Sequence, residues 1–247
     1  MILLFDVGNT SIYTGVSDGK EIIQTFRMNT ELHKTPDEYF LTIKQFVDPS
    51  EVKHIVIGSV VPTVTVALLK IAEKYFNINP IIIQPGTKTG VQIKADNPRE
   101  VGADLIADAA GLDTDDPTLI IDLGTANKFI YVRNKTIIGV IIAPGINLSI
   151  KALAGNTALL HEVEIKAPNK VLGNNTVTCI QSGVIFGTAA SIEGMVRRIQ
   201  REVNEPFRII LTGGLSKFMQ EHIEIPMERD SRLVLKGLLH IFHKNEK

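Results

Sequence analysis

The sequence predicts an α/β protein made of two related halves, each a mixed sheet covered by helices. Three observations lead to this reading. A segment near the start, Leu3-Leu4-Phe5-Asp6-Val7-Gly8-Asn9-Thr10, recurs in the middle as Leu119-Ile120-Ile121-Asp122-Leu123-Gly124-Thr125-Ala126. Each copy leads into a β-rich run broken by a polar turn and then into helical periodicity. Short unbroken apolar runs such as Ile55-Val56-Ile57 and Ile209-Ile210-Leu211 stand between those helices, as strands buried on both faces do.

Taken in order, the first copy runs to the turn Ser17-Asp18-Gly19-Lys20 and a further strand, a meander of three strands. Helices are expected over Pro36 to Phe46 and Thr63 to Tyr75, with strands at His54 to Val60 and Pro80 to Ile83. The second copy turns at Arg133-Asn134-Lys135, and its helices are expected over Ile146 to Leu153 and Val177 to Arg201, with a strand at Phe207 to Leu211. The plan β-β-β-α-β-α is thus used twice. The polar turn Asp113-Thr114-Asp115-Asp116-Pro117 marks the division, giving an N-terminal domain over 1–114 and a C-terminal domain over 115–247. Duplicated halves of this plan facing a cleft resemble the ribonuclease H-like domains of the actin-like ATPase fold.

Composition narrows the partners. The 247 residues are 44% hydrophobic, enough for two modest cores. Lys and Arg total 26 against 27 Asp and Glu, with no extended basic cluster, which argues against nucleic acid or an anionic membrane surface and favours a small molecule. Met1 leads straight into Ile2-Leu3-Leu4-Phe5 and then an acid, without a basic leader, and no stretch is expected to span a membrane, so a cytoplasmic location is expected. Cys179 stands alone, which excludes an internal disulfide, and is expected to be a small buried hydrophobe.

The repeated turn carries the chemistry. Gly8 after a strand allows close backbone approach, Asn9 and Thr10 offer donors that can cradle phosphate oxygens, and Asp6 is placed to hold hydrated Mg²⁺. One such turn could equally be a hairpin capped by its own Asp and Asn. Its recurrence at Asp122 to Ala126 favours two turns gripping one nucleotide. A third glycine site, Leu211-Thr212-Gly213-Gly214-Leu215-Ser216, joins a strand to a helix as an adenosine-side loop does, so Gly213 and Gly214 join the candidates.

Between the copies lies Asn97-Pro98-Arg99-Glu100-Val101-Gly102-Ala103-Asp104-Leu105, which enters a helix. Asp104 there fits two roles, a carboxylate complementing the helix dipole or a general base that takes a hydroxyl proton during phosphoryl transfer. His240 and His243 lie close together on the last helix, where an exposed polar edge is the expectation rather than a metal site.

These blocks, with Ser59-Val60-Val61-Pro62, Pro144-Gly145 and Leu233-Val234-Leu235-Lys236-Gly237-Leu238, resemble the type III pantothenate kinases in order and along the whole chain. Those enzymes make 4'-phosphopantothenate from pantothenate and ATP in coenzyme A synthesis. The resemblance implies that Asp6, Val7, Gly8, Asn9, Thr10, Ser11, Ile12, Tyr13 and Thr125 contact ATP. It implies that Asp104 is the proton acceptor and that Asp122 helps to hold an activating K⁺ or NH₄⁺. Gly102, Ala103, Asp104 and Leu105 would form the pantothenate side, with Thr176 of Gly173-Asn174-Asn175-Thr176 reaching pantothenate across a dimer interface.

Departures from the family's pattern gather on the substrate side. Leu105 stands where the family has an arginine suited to the pantothenate carboxylate, and Ala95 where a tyrosine is common. Asn127 and Lys128 replace small or hydroxylated residues, Val140 a glycine, and His161 a proline. Losing a charge-assisted carboxylate contact costs about 1.5–3 kcal/mol. One resolution is compensation nearby, with Lys128 supplying the missing charge. Another is a hetero-oligomer whose paralogous subunit brings the arginine, and a third is a nucleotide-binding regulator that no longer turns over. The resemblance implies an obligate dimer with composite sites, so light scattering at micromolar concentration should return a mass well above the 27.1 kDa of one chain.

Overall fold

The structure is a computed structural model and describes residues 1–157 and 159–246. It divides into two units, one of Met1–Asp115, Asn134–Ile138 and Arg232–Lys247, the other of Asp116–Arg133 and Gly139–Ser231.

In the first unit, β1 (Ile2–Val7), β2 (Ser11–Ser17) and β3 (Ile22–Asn29) make the expected antiparallel meander. Helix α1 (Pro36–Ile43) follows, then β4 (His54–Ser59), α2 (Pro62–Ile71) and β5 (Ile81–Ile82). The two later strands run parallel to β1, giving the order β3-β2-β1-β4-β5. Two-residue periodicity sends alternate side chains of β1 to opposite faces. Leu3, Phe5 and Val7 pack with Tyr39 and Ile43 of α1 and Val64 and Leu68 of α2. Ile2 and Leu4 enter a separate core on the other face. Each such side chain, fully buried, contributes about 1.5–3 kcal/mol.

Thr35 starts α1 with a capping box to Glu38, and Pro36 fits the first helical position, where its missing N–H costs nothing. The helix is shorter than the run to Phe46 because the last residues turn back so that Phe46 stacks on Phe26, ring centroids 4.2 Å apart. Helix α2 likewise ends early and widens into a π turn over Ala72–Phe76, closed by Asn77 at φ 53. That wider turn brings Tyr75 face to face with Phe40, at 3.7 Å.

The second core face is covered by α3 (Ala103–Ala110) and by the last helix of the chain, α7 (Leu233–Asn245), which follows β6 (Gln92–Ile93) and all of the second unit. A boundary at 114/115 assigns this last helix to the C-terminal half, whereas it lies with the first unit. Its apolar stripe explains the placement, since Leu235, Leu238 and Phe242 share one core with Ile2, Leu4 and Ala107.

The second unit repeats the plan: β7 (Thr118–Leu123), β8 (Ala126–Arg133), β9 (Thr136–Pro144), α4 (Ile146–Gly155), α5 (Thr176–Val203), β10 (Arg208–Thr212), α6 (Ser216–Gln220) and β11 (Glu228–Arg229). Strand order is β11-β10-β7-β8-β9, with β10 parallel to β7 and β8 antiparallel to it. The opening residues of β9, which group with the first unit, pair with β6 through Gln92 with Thr136 and Ile93 with Ile137. Helix α5, 28 residues long and begun by the side chain of Asn175, is long and apolar enough to cross a membrane, contrary to the expectation that no stretch is. Its apolarity forms a stripe, with Ile180, Val184, Ile185, Ile192, Val196 and Ile199 buried, and 44% of its most apolar window lies inside the protein.

Helices α3 and α7 approach closely because Gly237 has no side chain: a Cβ there would fall on the Ala107 carbonyl. Gly237→Val should therefore cost about 1–3 kcal/mol, from overpacking, and lower the urea midpoint. Gly194→Ala, at an α5 position open around the added Cβ, should leave the midpoint unchanged or raise it.

Candidate functional site

Strand alternation also decides where the first acid goes. Asp6 follows Ile2 and Leu4 on the face of β1 covered by α3 and α7. After it the chain reverses through a tight loop in which Gly8 N–H donates to the Ser11 carbonyl at 3.1 Å. Thr30 braces this loop from β3's end: its hydroxyl donates to the Gly8 carbonyl at 2.6 Å and its N–H to the Thr10 carbonyl at 3.0 Å. Asn9 and Thr10 are exposed at the tip, while Val7, Ile12 and Tyr13 are buried in the strands that hold it.

Asp104 sits at the same end of the same sheet. Val60, which leaves β4, donates its N–H to the Val7 carbonyl at 3.1 Å, and a Cβ on Gly102 would lie 3.4 Å from the Val60 side chain. Gly102 is the N-cap of α3, followed by Ala103 and then Asp104, whose Oδ1 accepts the Leu105 N–H at 2.9 Å. A Cβ at Gly102 would meet that carboxylate, so a larger residue there would require Asp104 to shift. Phosphate-type loop and acid are thus brought to the carboxyl end of the parallel pair β1 and β4, where open α/β sheets bind ligands. Leu105 is buried, and its apolar side chain offers no polar contact.

In the second unit, Asp122 is the penultimate residue of β7 and stands directly across the antiparallel ladder from Lys128 of β8. The Lys128 ammonium donates to Asp122 Oδ2 at 2.6 Å, and the two side chains are only 15% and 14% exposed. Removing one partner of such a sequestered pair typically costs about 3–5 kcal/mol. Gly213, at φ 91, lies beside this carboxylate, and a Cβ there would fall on Asp122 Oδ1. Gly214 is exposed beside it, and Leu215 N–H ties the loop to the Leu123 carbonyl at 3.3 Å. Thr125 is exposed at the hairpin tip, where its carbonyl accepts the Gly145 N–H at 3.1 Å.

Thr176 opens α5 and lines a wide concavity of about 1270 Å³ in the second unit, together with Asn127, Phe129, Cys179, Val184 and Thr188. Cys179 is exposed there, contrary to the expectation of burial, because Ile180 and Val184 hold the inward stripe of α5 and Cys179 falls beside it. Asn127 is buried and donates to the Pro144 carbonyl at 3.3 Å, so this departure from the family's small residues ties β8 to the end of β9.

Some neighbours of these loops escape sequence reasoning. Arg27 lies opposite Tyr13 in the β2–β3 ladder, with its guanidinium 3.8 Å from the Tyr13 ring centre and Nη1 3.4 Å from the Ser11 hydroxyl. Gly145 is needed because a Cβ there would fall on the Gly124 carbonyl. Counting residues across each hairpin from its turn would have found Arg27 and the Asp122–Lys128 pair. Among the described residues no three His, Cys, Asp or Glu gather as a metal-binding group. The single carboxylate of Asp6 beside a phosphate-type loop still suits Mg²⁺, which keeps most of its waters and takes phosphate oxygens as ligands.

The fold recurs in solved structures across nearly the whole chain. A Baf family transcriptional activator, so described, from Campylobacter jejuni aligns with a TM-score of 0.63 at 19% identity, over 98% of each chain. Component A of the Acidaminococcus fermentans (R)-2-hydroxyglutaryl-CoA dehydratase aligns with a TM-score of 0.55 at 13% identity, over 97% of this chain and 95% of that one. MreB 5 of Spiroplasma citri bound to AMPPNP gives 0.51 at 13%, over 98% and 96%. At such identities the likeness is one of fold, the actin-like ATPase fold. Sequence comparison goes further: the type III pantothenate kinase family model matches residues 2–198, and a type III pantothenate kinase of Acholeplasma laidlawii (strain PG-8A) is 65% identical over 247 residues, all of both chains. With its repeated acidic turns and the Gly102–Asp104 helix entry in place, the chain belongs to the type III pantothenate kinase family.

Proposed function

We propose that this chain transfers the γ-phosphoryl group of ATP to the hydroxyl of pantothenate, releasing ADP and 4'-phosphopantothenate, with Asp104 as the proton acceptor. The observation that carries the assignment is the shared placement of the Asp6 loop and the Gly102–Asp104 helix entry at the carboxyl end of β1 and β4. The hydroxyl oxygen attacks the γ-phosphorus, its proton passes to the Asp104 carboxylate, and the bond to the β–γ bridging oxygen breaks. Such transfer relies on positioning and charge neutralisation, which a loop of backbone donors supplies. Bound Mg²⁺ supplies further neutralisation of the phosphates, and Asp6 would hold it through water.

Asp6 to Tyr13, Thr125, Gly213 and Gly214 are assigned to ATP, and Gly102, Ala103, Leu105 and Thr176 to pantothenate. We assign residues 1–114 and 115–247, apart from the returning α7, to the two actin-like domains, and the protein to the cytoplasm, where ATP and pantothenate meet. Assembly is a dimer in which Thr176 serves a neighbouring site. Leu105 favours a second form of it, a hetero-oligomer in which a paralogous subunit brings the cation for the pantothenate carboxylate, since a buried leucine offers none. Family membership over the full length supports turnover over a purely regulatory role.

Pantothenate-dependent ADP release by the purified chain, alone and with any paralogue of the same genome, tests this reading. Asp104→Asn should lower kcat by about 10²–10⁴ while MgATP still raises the melting temperature, because the loss is of a proton acceptor and not of a phosphate ligand. A kcat left unchanged would remove Asp104 from the chemistry. Asp6→Ala should abolish the MgATP-induced rise in melting temperature while the chain stays folded, and a rise of wild-type size would remove Asp6 from the nucleotide site.

A further inference from the structure

We propose that the Lys128 ammonium is a tethered monovalent cation, standing on the Asp122 carboxylate where the family resemblance puts K⁺ or NH₄⁺, so that this chain needs no free monovalent ion. The inference rests on the reading of the Asp122 turn as part of the nucleotide site.

The residues present do not fit a free ion there. Lys128 Nζ lies 2.6 Å from Asp122 Oδ2, with both side chains largely withdrawn from water. Gly213 faces the other carboxylate oxygen, Oδ1, closely enough that an added Cβ would fall on it. An entering K⁺ would therefore have to displace an ammonium from its charge-assisted bond or sit beside it in a site that screens little, and like charges at such range repel strongly. The lysine arrives by construction of the hairpin: ladder pairing sets Lys128 opposite Asp122, and side chains directly across an antiparallel pair share a face. At the matching place in the first half, Asp6 stands across from Tyr13, which carries no cation, so the lysine belongs to the second turn alone.

Ammonium and potassium are alike in charge and close in radius, and NH₄⁺ is one of the two ions the resemblance allows. A lysine head supplies the same charge with its translational freedom already given up, so its occupancy does not depend on salt. The lysine that could be taken as a replacement for the arginine missing at Leu105 is thereby committed elsewhere.

The test measures pantothenate-dependent ADP release and the MgATP-induced melting shift with tetramethylammonium as the sole monovalent cation, then with K⁺ or NH₄⁺ added. Wild type should change by no more than about twofold in turnover, and the melting shift should be the same in each salt. Lys128→Met, with circular dichroism to show that it is folded, should lose turnover in tetramethylammonium and regain it saturably with K⁺ or NH₄⁺. Activation of wild type by about tenfold or more, or an MgATP shift seen only with K⁺, would overturn the proposal whether or not the variant folds. So would a folded Lys128→Met that neither ion rescues. Absence of turnover and of an MgATP shift in every salt would defeat the nucleotide reading itself and this inference with it, a result distinct from K⁺-dependent turnover, which defeats the lysine assignment alone.

Discussion

Two-residue alternation along β1 fixes the chemistry of the first unit before any site residue is considered. Because Leu3, Phe5 and Val7 must enter the core under α1 and α2, Ile2, Leu4 and Asp6 are forced to the opposite face. Ile2 and Leu4 need an apolar cover, and α3 and α7 provide it, which brings the N-terminus of α3 to the end of the sheet where Asp6 lies. The close approach of those helices depends on Gly237 at the Ala107 carbonyl and on Gly111 at the Leu233 carbonyl. A slip of one residue in β1 would exchange the residue sets of its two faces and carry Asp6 into the apolar core with Tyr39 and Leu68, so packing energy holds the acid in its place.

The second unit solves the same problem with a shorter turn. Asp6 and its ladder partner Tyr13 are seven positions apart in sequence, Asp122 and Lys128 six. Both acids follow an unbroken apolar run and stand two residues before a glycine, so the repeat preserves strand, face and turn. What differs is the residue opposite the acid. Tyr13 is buried beneath the Arg27 guanidinium, whereas Lys128 bonds the carboxylate directly. Duplication thus supplies two equivalent frames, and the cross-strand partner gives each frame its own electrostatics.

Much of the architecture was legible because apolar periodicity and turn residues are local signals: the two meanders, α1 to α5 and β10 all fall close to where the pattern puts them. What escaped depends on contacts between distant segments. The π turn after α2 answers to Phe40, some thirty residues upstream, and the return of α7 to the first unit answers to the unfilled face of β1. Cys179 was misplaced for a different reason. A lone cysteine is usually buried, but its position beside the α5 stripe outweighs that preference. The site was legible as acids and glycines in turns; its pairings were not, because a charge is assigned by ladder register and not by its distance along the chain from the group it seems to replace.

Lys128 shows what that difference means for function. Set beside Leu105 in a linear comparison, it looks like a charge moved some twenty residues to serve the same substrate group. Charge conservation of that kind requires an ammonium that can reach a carboxylate on the ligand, and the structure gives this ammonium a protein carboxylate at 2.6 Å in largely excluded surroundings. To leave it, the lysine would strand Asp122 as an isolated negative charge under the Gly213 backbone, at a cost no exposed substrate contact repays. The two departures therefore have separate physical meanings: Leu105 removes a cation from the helix that carries Asp104, and Lys128 adds one to the turn that carries Asp122. Treating them as one exchange would conserve net charge while misplacing it, and in a site of low polarisability the place of a charge governs its effect.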